Sequence, residues 1–104
     1  MASDMESIQV EWTAADLDEA RQITRALLDR RLIACANLIP NVESHYWWEG
    51  RQEVASEVKV HFKSLEVHFD SIVKVIRERA SYDTPAIVKF QIDAADDRYL
   101  EWIK

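Results

Sequence analysis

Leu32-Ile33-Ala34-Cys35-Ala36-Asn37-Leu38-Ile39-Pro40-Asn41-Val42-Glu43-Ser44-His45-Tyr46-Trp47-Trp48-Glu49-Gly50-Arg51 is the stretch on which the fold turns. Its first five residues are apolar on both faces, the pattern of a central strand. Pro40 has no N–H to give to a ladder, so Ile39-Pro40-Asn41 predicts a bulge or an edge position. The strand pattern resumes from Val42 to Trp48 and ends at Glu49-Gly50-Arg51, which holds the only glycine of the chain and predicts a hairpin turn. The return strand runs from about Gln52 to Lys63, with Val58, Val60 and Phe62 alternating against Glu57, Lys59, His61 and Lys63. At about 3.3 Å per residue, a straight strand from Leu32 to Trp48 would reach ~50 Å, longer than a chain of this size is wide when folded. Either it bends at Pro40 or its aromatic end projects. A projecting Tyr46-Trp47-Trp48 is costly in a monomer, so packing onto a neighbouring copy is expected.

Outward from the hairpin, the periods alternate. Before it, Glu6–Thr13 reads as a strand, with Ile8, Val10 and Trp12 on one face. Leu17, Ala20, Ile23 or Thr24, Leu27 and Leu28 then fall at helical spacing, with Thr13 as the candidate N-cap and Arg30 and Arg31 in the last turn. After it, Ser64 is the candidate N-cap of a second helix that carries Leu65, Phe69, Ile72, Val73 and Ile76 through to about Ala80. Tyr82-Asp83-Thr84-Pro85 predicts a turn, Ala86–Ile92 a last strand, and Asp93 or Asp96 the start of a closing helix with Tyr99, Leu100, Trp102 and Ile103. The order βαββαβ plus a helix is the ferredoxin-like α+β arrangement, an antiparallel sheet with a long central hairpin. Residues 1–104 read as one such domain.

Composition removes several function classes. The formal charge is −6 and no basic stripe is present, which argues against nucleic acid. No apolar run approaches the roughly 18 residues that a membrane span needs. The opening Met1–Ser7 has neither a basic patch nor an apolar run, and Cys35 is the sole cysteine, so a reduced cytoplasmic protein is expected. One glycine cannot build a phosphate-cradling loop, and Cys35 has no evident basic partner, so an enzyme is not expected.

At the hairpin the sequence becomes specific. Ala34-Cys35-Ala36-Asn37-Leu38-Ile39-Pro40, Ser44-His45-Tyr46-Trp47-Trp48-Glu49-Gly50, Glu57-Val58-Lys59, Tyr82-Asp83-Thr84-Pro85 and Tyr99-Leu100-Glu101-Trp102-Ile103 together resemble the CutA family, the divalent-cation tolerance proteins. The resemblance runs in order along essentially the whole chain. It implies a homotrimer whose extended hairpins join edge to edge, as in PII-type signalling trimers, and a role in tolerance of copper and other divalent cations. Trp12 stands where copper-linked members carry a cysteine, and Arg79-Ala80-Ser81-Tyr82 stands where they carry a His-Pro-Tyr segment. An acid often follows the turn proline in the family, and here that residue is Ala86.

Copper and zinc favour thiolate and imidazole, in sets of three or four converging ligands. Cys35 and then His45 are the candidate metal residues; each also has a plain reading, Cys35 as a small buried core residue and His45 as a structural histidine. His45 and His61 lie on the two arms of the hairpin and could approach one another. Tyr46, Trp47, Trp48 and Pro40 are the expected subunit interface, with Trp12 and Trp102 as core or helix-packing residues. Two functions follow. One is a trimer for metal-ion response that binds divalent cations weakly or between subunits. The other is a PII-like signalling or scaffold trimer that takes a small metabolite or a protein partner in its intersubunit clefts.

Overall fold

The computed structural model describes residues 4–104; of the opening stretch read for targeting, 1–3 lie outside the described residues. The elements are β1 (Ser7–Ala14), α1 (Leu17–Asp29), β2 (Cys35–Trp48), β3 (Arg51–Leu65), a 3-10 turn (Glu66–His68), α2 (Phe69–Arg79), β4 (Ile87–Gln91) and α3 (Asp97–Ile103). The four strands form one antiparallel sheet in the order β2-β3-β1-β4, which is the ferredoxin-like α+β arrangement.

The alternation in β1 decides which face of the sheet is covered. Ile8, Val10, Trp12 and Ala14 are fully buried, as are Val60 and Phe62 beside them on β3. Ala20, Ile23 and Leu27 of α1 and Ile72, Val75 and Ile76 of α2 close over this face. Each large apolar side chain so buried contributes about 1.5–3 kcal/mol. The opposite face, with Glu11, Lys59 and His61 at its centre, stays partly accessible, and Ile39, Val88 and Phe90 are exposed there.

The helix ends differ from the expectations in three places. Asp16, not Thr13, caps α1: its carboxylate accepts the Glu19 N–H at 2.8 Å. Glu19 in turn accepts the Ala15 N–H at 3.1 Å and the Ser81 N–H at 2.6 Å, which ties the helix start to the loop after α2. The Thr13 hydroxyl instead accepts a hydrogen bond from the Lys59 ammonium at 3.1 Å. Ser64 is no cap either. It pairs with Ile8 inside β3, is buried, and donates to the Leu32 carbonyl at 2.6 Å. The strand gains ladder bonds by running on to Leu65, so helix formation waits until Phe69. Finally, α1 stops at Asp29. Arg31 takes a left-handed conformation (φ 56°), and its N–H and that of Leu32 bond back to the Leu28 and Leu27 carbonyls, both at 3.0 Å. That reversal delays β2 to Cys35 instead of Leu32.

β2 is an edge strand, not the central strand that its apolar opening suggested, and its outer hydrogen-bonding side has no partner among the described residues. The bulge expected at Pro40 is present. The β2–β3 register shifts between Ile39 and Val42, and Asn41 takes φ 61°. The turn closes on Glu49 and Gly50 at φ 49° and 77°, two left-handed residues in succession, as a two-residue hairpin turn requires.

Tyr82 locks the loop before β4 to β1. Its hydroxyl accepts the Trp12 indole N–H at 3.0 Å and donates to the Thr13 carbonyl. Burial pushes the phenol up from 10.0 to about 12, with the nearby Glu19 and Glu57 carboxylates acting in the same direction. A phenol with a raised native pKa holds its proton longer folded than unfolded. Its contribution is therefore complete below pH 10 and is lost as the pH rises towards about 12. Thermal midpoints measured from pH 9 to 12 should fall through that window, and Tyr82→Phe should flatten the fall. An equally steep loss in Tyr82→Phe would assign the alkaline transition to other groups.

Candidate functional site

Both metal candidates lie on the edge strand β2, at different ends. Cys35 opens the strand opposite Lys63 and is half-buried, not sealed in the core. Its sulfur lies 3.6 Å from the Tyr99 hydroxyl of α3, and the Tyr99 ring stacks on Trp102 with centroids 5.9 Å apart. The Cys35 thiol beside it holds the Tyr99 phenol above its usual range, and partial burial adds to the shift. Trp102 is exposed, so it packs on its own helix and not in the core.

His45 sits near the far end of β2. Its Nε2 is 2.8 Å from the Glu43 carboxylate, two residues back on the same face of the strand, and both side chains are well exposed. Ten residues separate Cys35 from His45, a span of roughly 30 Å along a strand. One metal ion cannot touch both within a chain. His61 is not near His45 either. It pairs with Asn37 in the ladder, eight positions from His45 and so about 25 Å away, and its Nε2 is 3.2 Å from Glu11. The two arms are antiparallel and in register, which sets histidines at unequal distances from the turn apart. Among the described residues, no three Cys, His, Asp or Glu side chains converge as a metal site would need. The described residues of one chain alone do not bring together a copper or zinc ligand set. The pair that the sequence reading missed is Glu43–His45; their i, i+2 spacing on a strand was the available signal.

The aromatic end of the hairpin stands where the length argument put it. Tyr46, Trp47 and Trp48 are 43%, 69% and 56% exposed, beside the turn that closes the hairpin. Among the described residues their only sheet partners are Glu53, Gln52 and Arg51 of β3. Pro40 is exposed at the bulge.

Known proteins share this architecture along its whole length. The divalent-cation tolerance protein CutA of Thermococcus kodakarensis is 39% identical over 95% of the chain and 94% of its own length. The chloroplastic CutA 1 of rice is 30% identical over 94% of the chain, which spans about half (55%) of that longer protein. The crystal structure of the periplasmic divalent cation tolerance protein CutA from Archaeoglobus fulgidus superposes with a TM-score of 0.90 at 33% identity, covering 93% of this chain and 94% of that one. No helix among the described residues is long and apolar enough to cross a membrane. Residues 8–104 match the family model of the CutA1 divalent ion tolerance proteins, and with the hairpin, bulge and sheet order in hand the chain belongs to that family.

Proposed function

We propose that the protein acts as a homotrimer in the response to divalent cations, copper among them, and holds these cations weakly through side chains that only assembly brings together. The observation that carries this reading is the position of β2. It is an edge strand whose outer side has no partner among the described residues, and it ends in three exposed aromatics and bears the Glu43–His45 pair at that same end. Covering the aromatic end with a neighbouring copy removes apolar surface from water and pairs the edge. Where the hairpin tips of the three chains meet on the trimer axis the pair repeats by symmetry, so that three chains offer three imidazoles and three carboxylates, a set suited to a borderline cation. Cys35 is the other candidate ligand and His45 the one nearest the assembled end; Pro40, Tyr46, Trp47 and Trp48 belong to the interface. The proposal carries no catalytic step. It places the protein in the cytoplasm, since the single thiol has no partner for a disulfide.

Isothermal titration of the tag-free protein with Cu(II), Cu(I) and Zn(II), alongside Cys35→Ser and His45→Ala, tests it. The expected result is saturable binding tighter than about 1 mM, weakened about tenfold or more by at least one variant. Binding no tighter than millimolar in every case would overturn the metal role. An intact oligomer with inert metals would then favour the signalling or scaffold reading, with a metabolite or protein partner in the intersubunit clefts.

A further inference from the structure

At the end of the sheet remote from the hairpin tip, a cleft of about 400 Å³ opens between the C-terminal end of α1 and α3. Three separate stretches build it: Leu28 with Arg31 to Ala34, Ser64 with Leu65 and His68, and Trp102 to Lys104. Its floor is apolar, with Ile33, Leu65 and Ile103 each less than a tenth exposed. Its rim carries Arg31 and Lys104 with the His68 imidazole and no acid, which is out of character for a chain of formal charge −6. Arg31 and His68 line it with no side-chain hydrogen bond or ion pair among the described residues, and the Lys104 ammonium is 3.8 Å from Glu101.

Arg31 is the informative residue. It occupies the left-handed position just past α1, at φ 56°, where glycine fits without a Cβ penalty and arginine does not. The cost is accepted there, yet the guanidinium meets no carboxylate among the described residues. A backbone outlier that presents an unpaired charged group over an apolar floor points to a ligand. The charge selects an anion, and a planar guanidinium is suited to gripping a carboxylate with two parallel hydrogen bonds. Trp102 selects the body. Its indole is 57% exposed and is held by stacking on Tyr99, which leaves it available to a flat ring.

We infer that this cleft binds a small aromatic carboxylate, with the carboxylate on Arg31, His68 supplying a further hydrogen bond, and the ring between Trp102 and the Leu28–Ile33 floor. The volume is at the lower end of the range for small-molecule sites, which suits a ligand of one or two rings. The site is formed by one chain and stands apart from the Glu43–His45 end, so it is independent of the metal proposal.

The test is isothermal titration of the full, tag-free chain with three probes: 2-naphthoate, its neutral analogue 2-naphthamide, and inorganic phosphate. Saturable binding of 2-naphthoate below about 1 mM is expected, with the amide and phosphate each about tenfold weaker or worse. Arg31→Gly should weaken 2-naphthoate by about tenfold or more while the thermal midpoint stays level or rises, because glycine relieves the left-handed backbone. Trp102→Ala should also weaken the naphthoate, and phosphate should bind no better to it than to the parent. Equal binding of acid and amide, unchanged affinity in Arg31→Gly, or no saturation by about 10 mM would each overturn the site.

Discussion

Replacing Trp12 by alanine is expected to remove about 3–5 kcal/mol of stability, the largest loss from any single position in the core. The indole is wholly buried, lies nearly parallel to the Phe62 ring with centroids 6.3 Å apart, and sits in the ladder between Val60 and Ile87. It also holds Tyr82 through its N–H, so truncation leaves a cavity and releases the loop before β4. A chain of this length has about 5–15 kcal/mol in all, and the loss should lower the thermal midpoint by roughly 15 °C or more. Trp12→Phe separates the two contributions. It keeps an aromatic ring but gives up the hydrogen bond to Tyr82, and should cost about 1–3 kcal/mol. Urea unfolding at one fixed protein concentration is the measurement, because the proposed assembly would make apparent stability depend on concentration. A change below about 1 kcal/mol for Trp12→Ala would mean that the surrounding side chains close the gap and that the β1 core is not packed as described.

The second large effect concerns mass. If the proposed trimer forms through the hairpin tips, the double substitution Trp47→Lys, Trp48→Lys should convert it to single chains of close to the parent chain's 12.1 kDa, read by light scattering after gel filtration. Lysine at an edge strand opposes pairing with another edge, and two of them remove the apolar surface that a neighbour would cover. The fold itself should survive. Trp47 and Trp48 lie beyond the buried core and pair only with Gln52 and Arg51, so the circular dichroism spectrum should keep its strand and helix content. A parent protein that already runs at the mass of one chain would sink the trimer proposal. A variant that keeps the parent's oligomeric mass would move the interface away from the hairpin tip, to the accessible sheet face that carries Ile39, Val88 and Phe90.

Much of this architecture was legible in the residues because its signals are local. The alternation of Ile8, Val10 and Trp12, the helical spacing of Ile72 and Ile76, the missing N–H of Pro40 and the single glycine at the turn each act over a few positions. Those positions meet the same neighbours in almost any context. The resemblance of the hairpin segments to the CutA family extended that reading to the whole chain, and residues 8–104 bear it out.

What local pattern could not decide was settled by contacts between distant segments. Ser64 has the chemistry of a helix cap, but Ile8 lies opposite it, and the ladder bond to β1 outweighs a cap. Thr13 gives way to Asp16 because β1 runs to Ala14, one residue beyond the expected end. The apolar run at Leu32–Ala36 resembled a central strand, yet the chain places β1 inside β3 and leaves β2 at the edge. Register alone holds His45 away from His61, and strand length alone holds it away from Cys35. The Arg31 cleft is the plainest case. Its three stretches are some thirty or more residues apart, and none has a ligand signature of its own. Periodicity reports which face of an element is apolar. Only the summed burial and hydrogen bonding of the whole chain selects the partner for that face, and with it the side chains left over to bind something else.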